Sequence, residues 1–98
     1  MYSVILLPLA KQDMSEAVKW YNSKQKGLGL RFLDNINSQV SKIRKNPKMC
    51  PIRYNNIRTC VLKDFPFMVH YRIDSTNAKI IIAAIFHTSL SPEIWKFR

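Results

Sequence analysis

Apolar residues change their spacing twice along this chain. Residues 2–7 (YSVILL) form a short apolar run closed by Pro8, which predicts a buried strand. From 9 to 25 the spacing is helical. Met14, Ala17, Val18 and Tyr21 fall at i, i+3, i+4 and i+7 on one face, while Lys11, Glu16 and Lys19 lie largely off it. Gly27 and Gly29 bracket the break that follows. A second helix is predicted over 30–45, with Phe32, Leu33, Ile36, Val40 and Ile43 as its apolar stripe. Arg31, Asp34, Ser38, Lys42 and Lys45 are free to face water. Asn46-Pro47 ends it, because a residue before proline is pushed out of the helical region. Two amphipathic helices joined by so short a link must pack as antiparallel neighbours.

Beyond Pro51 the period becomes two. Over 57–63, Ile57, Thr59 and Val61 share one face and Arg58, Cys60 and Leu62 the other. Asp64-Phe65-Pro66 makes a turn. Over 67–73, Phe67, Val69, Tyr71 and Ile73 alternate with Met68, His70 and Arg72. Asp74–Asn77 (DSTN) reads as a hairpin turn, and 79–86 is apolar on both faces, as in an interior strand. The order β-α-α-β-β-β predicts an α+β fold: a small, antiparallel-rich sheet with a helical hairpin on one face, forming one domain over 1–98. The opposite face is expected to carry Arg58, Met68, His70 and Arg72. That set is too polar to be sealed and is suited to an anionic partner.

Charge strengthens that expectation. Sixteen Lys and Arg stand against six Asp and Glu, a formal net charge of +10. Such an excess points to a polyanionic or acidic partner, though not to a fold. The run Lys42–Lys48 reads equally as a solvated helix end or as part of such a contact. Cys50 and Cys60 do not read as a disulfide framework; both are expected to be structural, and the cytoplasm is the expected compartment. The N-terminal VILLPLA lacks a basic flank, is broken by Pro8 and is too short to span a membrane. No metal-ligand spacing links Cys50, Cys60, His70 and His87, and no Gly-rich phosphate loop is present, so no cofactor is expected.

Several phrases together resemble the RelE/ParE superfamily of bacterial toxins from type II toxin–antitoxin modules. They are Ala10-x-x-Asp13 leading into Ala17-x-x-Trp20-Tyr21, then Gly27-Leu28-Gly29-x-Arg31-Phe32-Leu33, Asn46-Pro47 and Ile57-Arg58. Phe65-Pro66-Phe67-x-Val69-x-Tyr71 and His87-x-x-x-x-Pro92-x-x-Trp95 complete the series. The GLG-x-RF and FPF-x-V-x-Y phrases look most like the ParE-type, plasmid-stabilisation branch. The resemblance implies a growth-inhibiting toxin neutralised by a cognate antitoxin with an extended, often acidic tail. It also implies one of two activities: RelE-like members cut mRNA on the ribosome, whereas ParE-like members with an assigned target poison DNA gyrase.

Cleavage by 2′-hydroxyl attack needs a base, an acid and cations to hold the charge that builds on phosphate. His70, His87, Arg58, Arg72, Lys63 and Tyr71 are the candidates, and His87, Arg58 and Arg72 would be the working groups of a nuclease. Departures from the nuclease pattern weigh against it. Phe67-Met68-Val69-His70 lacks the arginine that RelE-like nucleases carry there. Leu90 stands at the arginine position of the His-x-x-Arg-x-Pro phrase. Trp95 lies where a tail tyrosine would be, and no Glu occurs between Glu16 and Glu93. The favoured expectation is a toxin that binds a target such as gyrase and needs no catalytic residue. Arg53, Arg58, Lys63, His70, Arg72, His87 and Trp95 are then its target or antitoxin contacts. An mRNA endonuclease, or a degenerate toxin retaining only antitoxin binding, are the alternatives. Trp95 is expected as a latch over the sheet edge, Tyr71 as core, and His87, if not functional, as a strand cap bonded to a carbonyl.

Overall fold

The computed structural model describes residues 2–97. The chain runs β1 (Ser3–Leu6), α1 (Pro8–Lys24), α2 (Leu28–Lys45), β2 (Ile52–Tyr54), β3 (Ile57–Val61), β4 (Phe67–Asp74), β5 (Lys79–His87) and α3 (Pro92–Trp95). The α+β architecture and the helical hairpin are as expected; β2 and α3 are additions to the elements read from sequence.

Pro8 opens α1 at a position whose missing N–H costs the helix nothing. Gly27, at φ 85°, takes the left-handed turn between the helices. Gly29 lies inside α2, where the helices nearly touch. A Cβ there would sit 2.5 Å from the Val18 carbonyl oxygen, and the Gly29 N–H donates to Asn22 Oδ1 at 2.8 Å.

The five strands form one sheet in the order β1-β5-β4-β3-β2. β1 lies parallel to β5, and the other neighbours are antiparallel. β5 is an interior strand, as its two apolar faces predict. Its last residues run beyond the end of β1, and there α1 completes the edge: Asp13 Oδ2 accepts the Ile85 N–H at 3.0 Å. His70 pairs with Ala84 but Tyr71 pairs with Ile82, so Ala83 is an extra residue in β5.

The helices cover one sheet face. Tyr21 and Phe32 pack with each other and with Phe65 and Phe67 at ring separations of 4.9–6.1 Å, and Ile36, Ile43, Val69, Tyr71, Ile80, Ile82 and Ile85 continue the core. Each such side chain contributes about 1.5–3 kcal/mol on burial, and well-placed aromatic pairs about 0.5–1.5 kcal/mol more. The Asp74–Asn77 turn is tied by the Asn77 N–H and Nδ2, which donate to the Asp74 carboxylate at 3.2 and 2.9 Å and hold its pKa below the ordinary range.

Three expectations need correction. The second sheet face is not open at its centre: Met68, His70, Ala84 and Phe86 are buried there beneath Trp95, with Tyr54 and Leu90 alongside. Trp95 lies over this face from His70 of β4 to Tyr54 of the edge strand β2. Arg58 is not on this face at all. It pairs with Tyr71 across β3 and β4, and cross-strand partners share a face, so it stands on the helix side. Finally, Cys50 and Cys60 form a disulfide, with Cα atoms 5.7 Å apart. The β2–β3 hairpin explains it. Ile52 pairs with Arg58, and two residues further outward along that ladder residue 50 stands against residue 60. Among the described residues, no helix is long and apolar enough to cross a membrane.

Candidate interaction surface

Two groups of candidate residues lie in different parts of the fold. The first gathers around Trp95. β2 ends in a two-residue turn, Asn55-Asn56, whose φ values of 41° and 64° match the strand twist of a tight hairpin. This turn brings Tyr54 over β4, where its hydroxyl lies 2.8 Å from His70 Nδ1. Ser91 caps the short α3 by accepting the Glu93 N–H at 3.3 Å, and α3 folds Trp95 back onto the same cluster. The indole meets His70 edge-on at 4.8 Å and Tyr54 at 5.4 Å, and the Arg53 guanidinium lies 5.5 Å from its centre. Such a cation–π contact stabilises by about 0.5–1 kcal/mol at an exposed site. His70 is fully buried, so it supports this surface from beneath and presents no ring to a partner. Arg72 is exposed on β4 opposite Ile81, and its charge bears on Asp74. Ile94 and Phe97 are exposed nearby in sequence to Trp95.

His87 belongs to the second group. It ends β5 against Phe67, with ring centres 5.2 Å apart. Its Nδ1 accepts the Ser89 N–H at 3.0 Å and lies 2.7 Å from the Ser89 hydroxyl, so in this geometry Nδ1 carries a lone pair. The ring thus caps the strand end, but by accepting from an amide and not by donating to a carbonyl. His87 also lines a 410 Å³ groove with Ala17, Trp20, Tyr21, Pro66 and Phe67, and Asp13 and Glu16 border the adjoining depression. Trp20 is 56% exposed on the rim, with Lys24 Nζ 5.1 Å above its ring.

The remaining candidates are elsewhere. Arg58 Nη1 donates to the Cys50 carbonyl at 2.7 Å, and Lys63 is exposed in the loop between β3 and β4. Tyr71 is core, as expected. Its hydroxyl donates to the Pro47 carbonyl at 2.7 Å, and burial pushes its pKa up against the opposing effects of the Cys50 backbone and the Arg58 charge. Of the nuclease trio, then, His87 is at the α1 groove, Arg58 is on the helix side and Arg72 is on the opposite face. Among the described residues no cluster of three His, Cys, Asp or Glu could hold a metal ion.

Sequence reasoning missed Tyr54 and Trp20. Tyr54 was findable: Tyr-Asn-Asn-Ile carries a tight-hairpin signal, because Asn tolerates positive φ. Trp20 lies one position from Tyr21, and only packing decides which of two adjacent aromatics is buried.

Comparison with known proteins fits this geometry. The fold is similar to that in the chromosomal ParDE toxin–antitoxin system of P. aeruginosa, at a TM-score of 0.79 and 20% identity over 91% of this chain and 98% of that one. It is also similar to a chain of the intact E. coli RelBE toxin–antitoxin complex, at 0.71 and 9% identity over 92% and 100%. A chain of the RelBE2 complex of Mycobacterium tuberculosis gives 0.57 and 15% identity over 88% and 96%. Among curated protein sequences none matches. At these identities the structural likenesses establish the fold; membership comes from the family model for the ParE toxin of the parDE type II toxin–antitoxin system, which matches residues 4–91. The chain belongs to the ParE toxin family of type II toxin–antitoxin systems.

Proposed function

We propose that this chain is a single-domain cytoplasmic toxin, neutralised by a cognate antitoxin, that arrests growth by binding a target such as DNA gyrase and does no chemistry of its own. The observation that carries this reading is the dispersal of the ionisable candidates. His70 is sealed under Trp95, Arg58 is bonded to a backbone carbonyl on the helix side, and His87 caps a strand end in the α1 groove. A general acid, a general base and a phosphate clamp must reach one scissile phosphate together. The surface that remains available is basic, with Arg53, Lys63 and Arg72 exposed, and a net charge of +10 favours an acidic partner chain. Relatives of the same fold occur in ParDE and RelBE complexes, which supports an antitoxin as that partner.

The test is induced expression with and without the gene beside this one. Growth arrest with gyrase-dependent DNA breaks and intact mRNA, relieved by the neighbouring gene, is the expected result. Codon-phased mRNA cuts that vanish in His87→Ala would establish the nuclease instead, and absence of any arrest would mark a chain that keeps antitoxin binding alone.

A further inference from the structure

The segment between α2 and β2 is held at three points by β3 and β4. Tyr71 donates to the Pro47 carbonyl and Arg58 to the Cys50 carbonyl, both at 2.7 Å, and Cys60 is bonded to Cys50. The covalent ring from Cys50 to Cys60 encloses all of β2, the Asn55-Asn56 turn and the start of β3. β2 is a three-residue edge strand with an irregular register, so it has little ladder of its own. Yet it carries Tyr54, which touches His70 and Trp95, and Arg53, which lies over Trp95.

We propose that Cys50 and Cys60 are a reversible thiol–disulfide modification site whose state sets the order of residues 52–56 and, through Arg53 and Tyr54, the seating of Trp95. Unequal exposure divides the roles. Cys60 is 1% exposed within the core, whereas Cys50 is half-buried in the loop, so first contact with a small reagent is assigned to Cys50. The oxidant is a low-molecular-weight disulfide. The Cys50 thiolate attacks it, forming a mixed disulfide and releasing one thiolate. The Cys60 thiolate then attacks the Cys50 sulfur and releases the second. Two protein thiols and one small disulfide become one protein disulfide and two small thiols, with both cysteine protons passing to the leaving thiolates. Reduction retraces these steps, beginning with attack of an external thiolate on Cys50 and departure of Cys60. The Arg58 guanidinium is bonded to the Cys50 carbonyl and so ties the Cys50 backbone to β3. The Arg58 and Tyr71 hydrogen bonds hold the loop beside β3 after the sulfurs part, so reclosure is intramolecular. This inference stands on the pairing and its neighbours and does not depend on the target of the toxin.

The experiment equilibrates the full chain in mixtures of reduced and oxidised glutathione, traps free thiols by alkylation and counts them by mass. Two thiols should appear together, in one two-electron transition inside the range of the mixtures, while far-ultraviolet circular dichroism stays native. On reduction, amide hydrogen exchange at 52–56 should quicken by about tenfold or more, as expected when a local tether is lost. Trp95 emission, read in a Trp20→Phe background, should shift. Cys50→Ser should show the reduced pattern at every glutathione ratio; if that variant does not fold, the unsubstituted chain still decides. A bond that resists millimolar thiols until urea unfolds the protein would overturn the proposal in favour of a permanent crosslink. Thiols that stay free at every ratio would overturn it too, as would reduction that leaves exchange at 52–56 and Trp95 emission unchanged.

Discussion

Asp13 on α1 accepts the backbone N–H of Ile85 at 3.0 Å, across 72 positions of sequence. The carboxylate supplies the bond that a further residue of β1 would otherwise supply, since β1 ends its pairing at Leu6 opposite Ile82. Asp13→Ala is expected to lower unfolding free energy by about 1.5–3 kcal/mol, the usual worth of a bond to a charged acceptor. Asp13→Asn, which keeps an acceptor oxygen, should lose less. Urea unfolding of the three proteins measures both.

The helix hairpin gives a contrast between two glycines. Gly29→Ala forces a methyl against the Val18 carbonyl, which is backbone and cannot swing aside, so a loss of about 1–3 kcal/mol is expected from overpacking. Gly27→Ala meets open space but must hold φ 85°, a strain of about 1 kcal/mol. Thermal unfolding should rank Gly29→Ala below Gly27→Ala; the reverse order would show that the helices separate to admit the methyl.

Alkaline pH should weaken the fold through its buried phenols. Burial raises the pKa of Tyr71, against the partial offset of Cys50 and Arg58, and burial raises that of Tyr21. A raised folded pKa contributes stability that is complete below the unfolded phenol value of about 10 and is lost as pH climbs through the folded value. Unfolding free energy should therefore be level up to about pH 10, the unfolded phenol value, and fall from there until the folded phenols have ionised. Tyr71→Phe should be less stable at neutral pH, having lost the bond to Pro47, and should show a shallower alkaline decline that retains the Tyr21 share.

Trp95 holds the second sheet face closed, so Trp95→Ala should cost about 3–5 kcal/mol, as large aromatic truncations do. Trp95→Phe should cost a fraction of that. The buried indole N–H has no acceptor among the described residues, so its loss breaks no hydrogen bond. Chemical denaturation and protease sensitivity near the C-terminus distinguish the two variants.

The expected polar sheet face shows where local reading stopped. Alternation along β4 was right: Val69 and Tyr71 face the helices, and Met68 and His70 face away. Alternation along β3 was also right, with Arg58 and Cys60 on one side. What alternation omits is register. Pairing Arg58 with Tyr71 puts it on the helix side, whereas a slip of one residue would have put it beside His70.

Periodicity by itself determined the helical hairpin, the three longer C-terminal strands and most of the core, because burying one face of a helix or strand imposes a spacing on the chain. It also determined Tyr71 as core, and composition alone set the strong positive charge. Tertiary structure alone decided which polar residues stay polar surface. His70 is buried because Trp95, 25 residues later, folds over it; Arg58 points inward because of its strand partner; Cys50 meets Cys60 because two asparagines reverse the chain between them. Each of these depends on contacts between residues distant along the chain or on the register of a pairing. A spacing pattern within one segment carries neither.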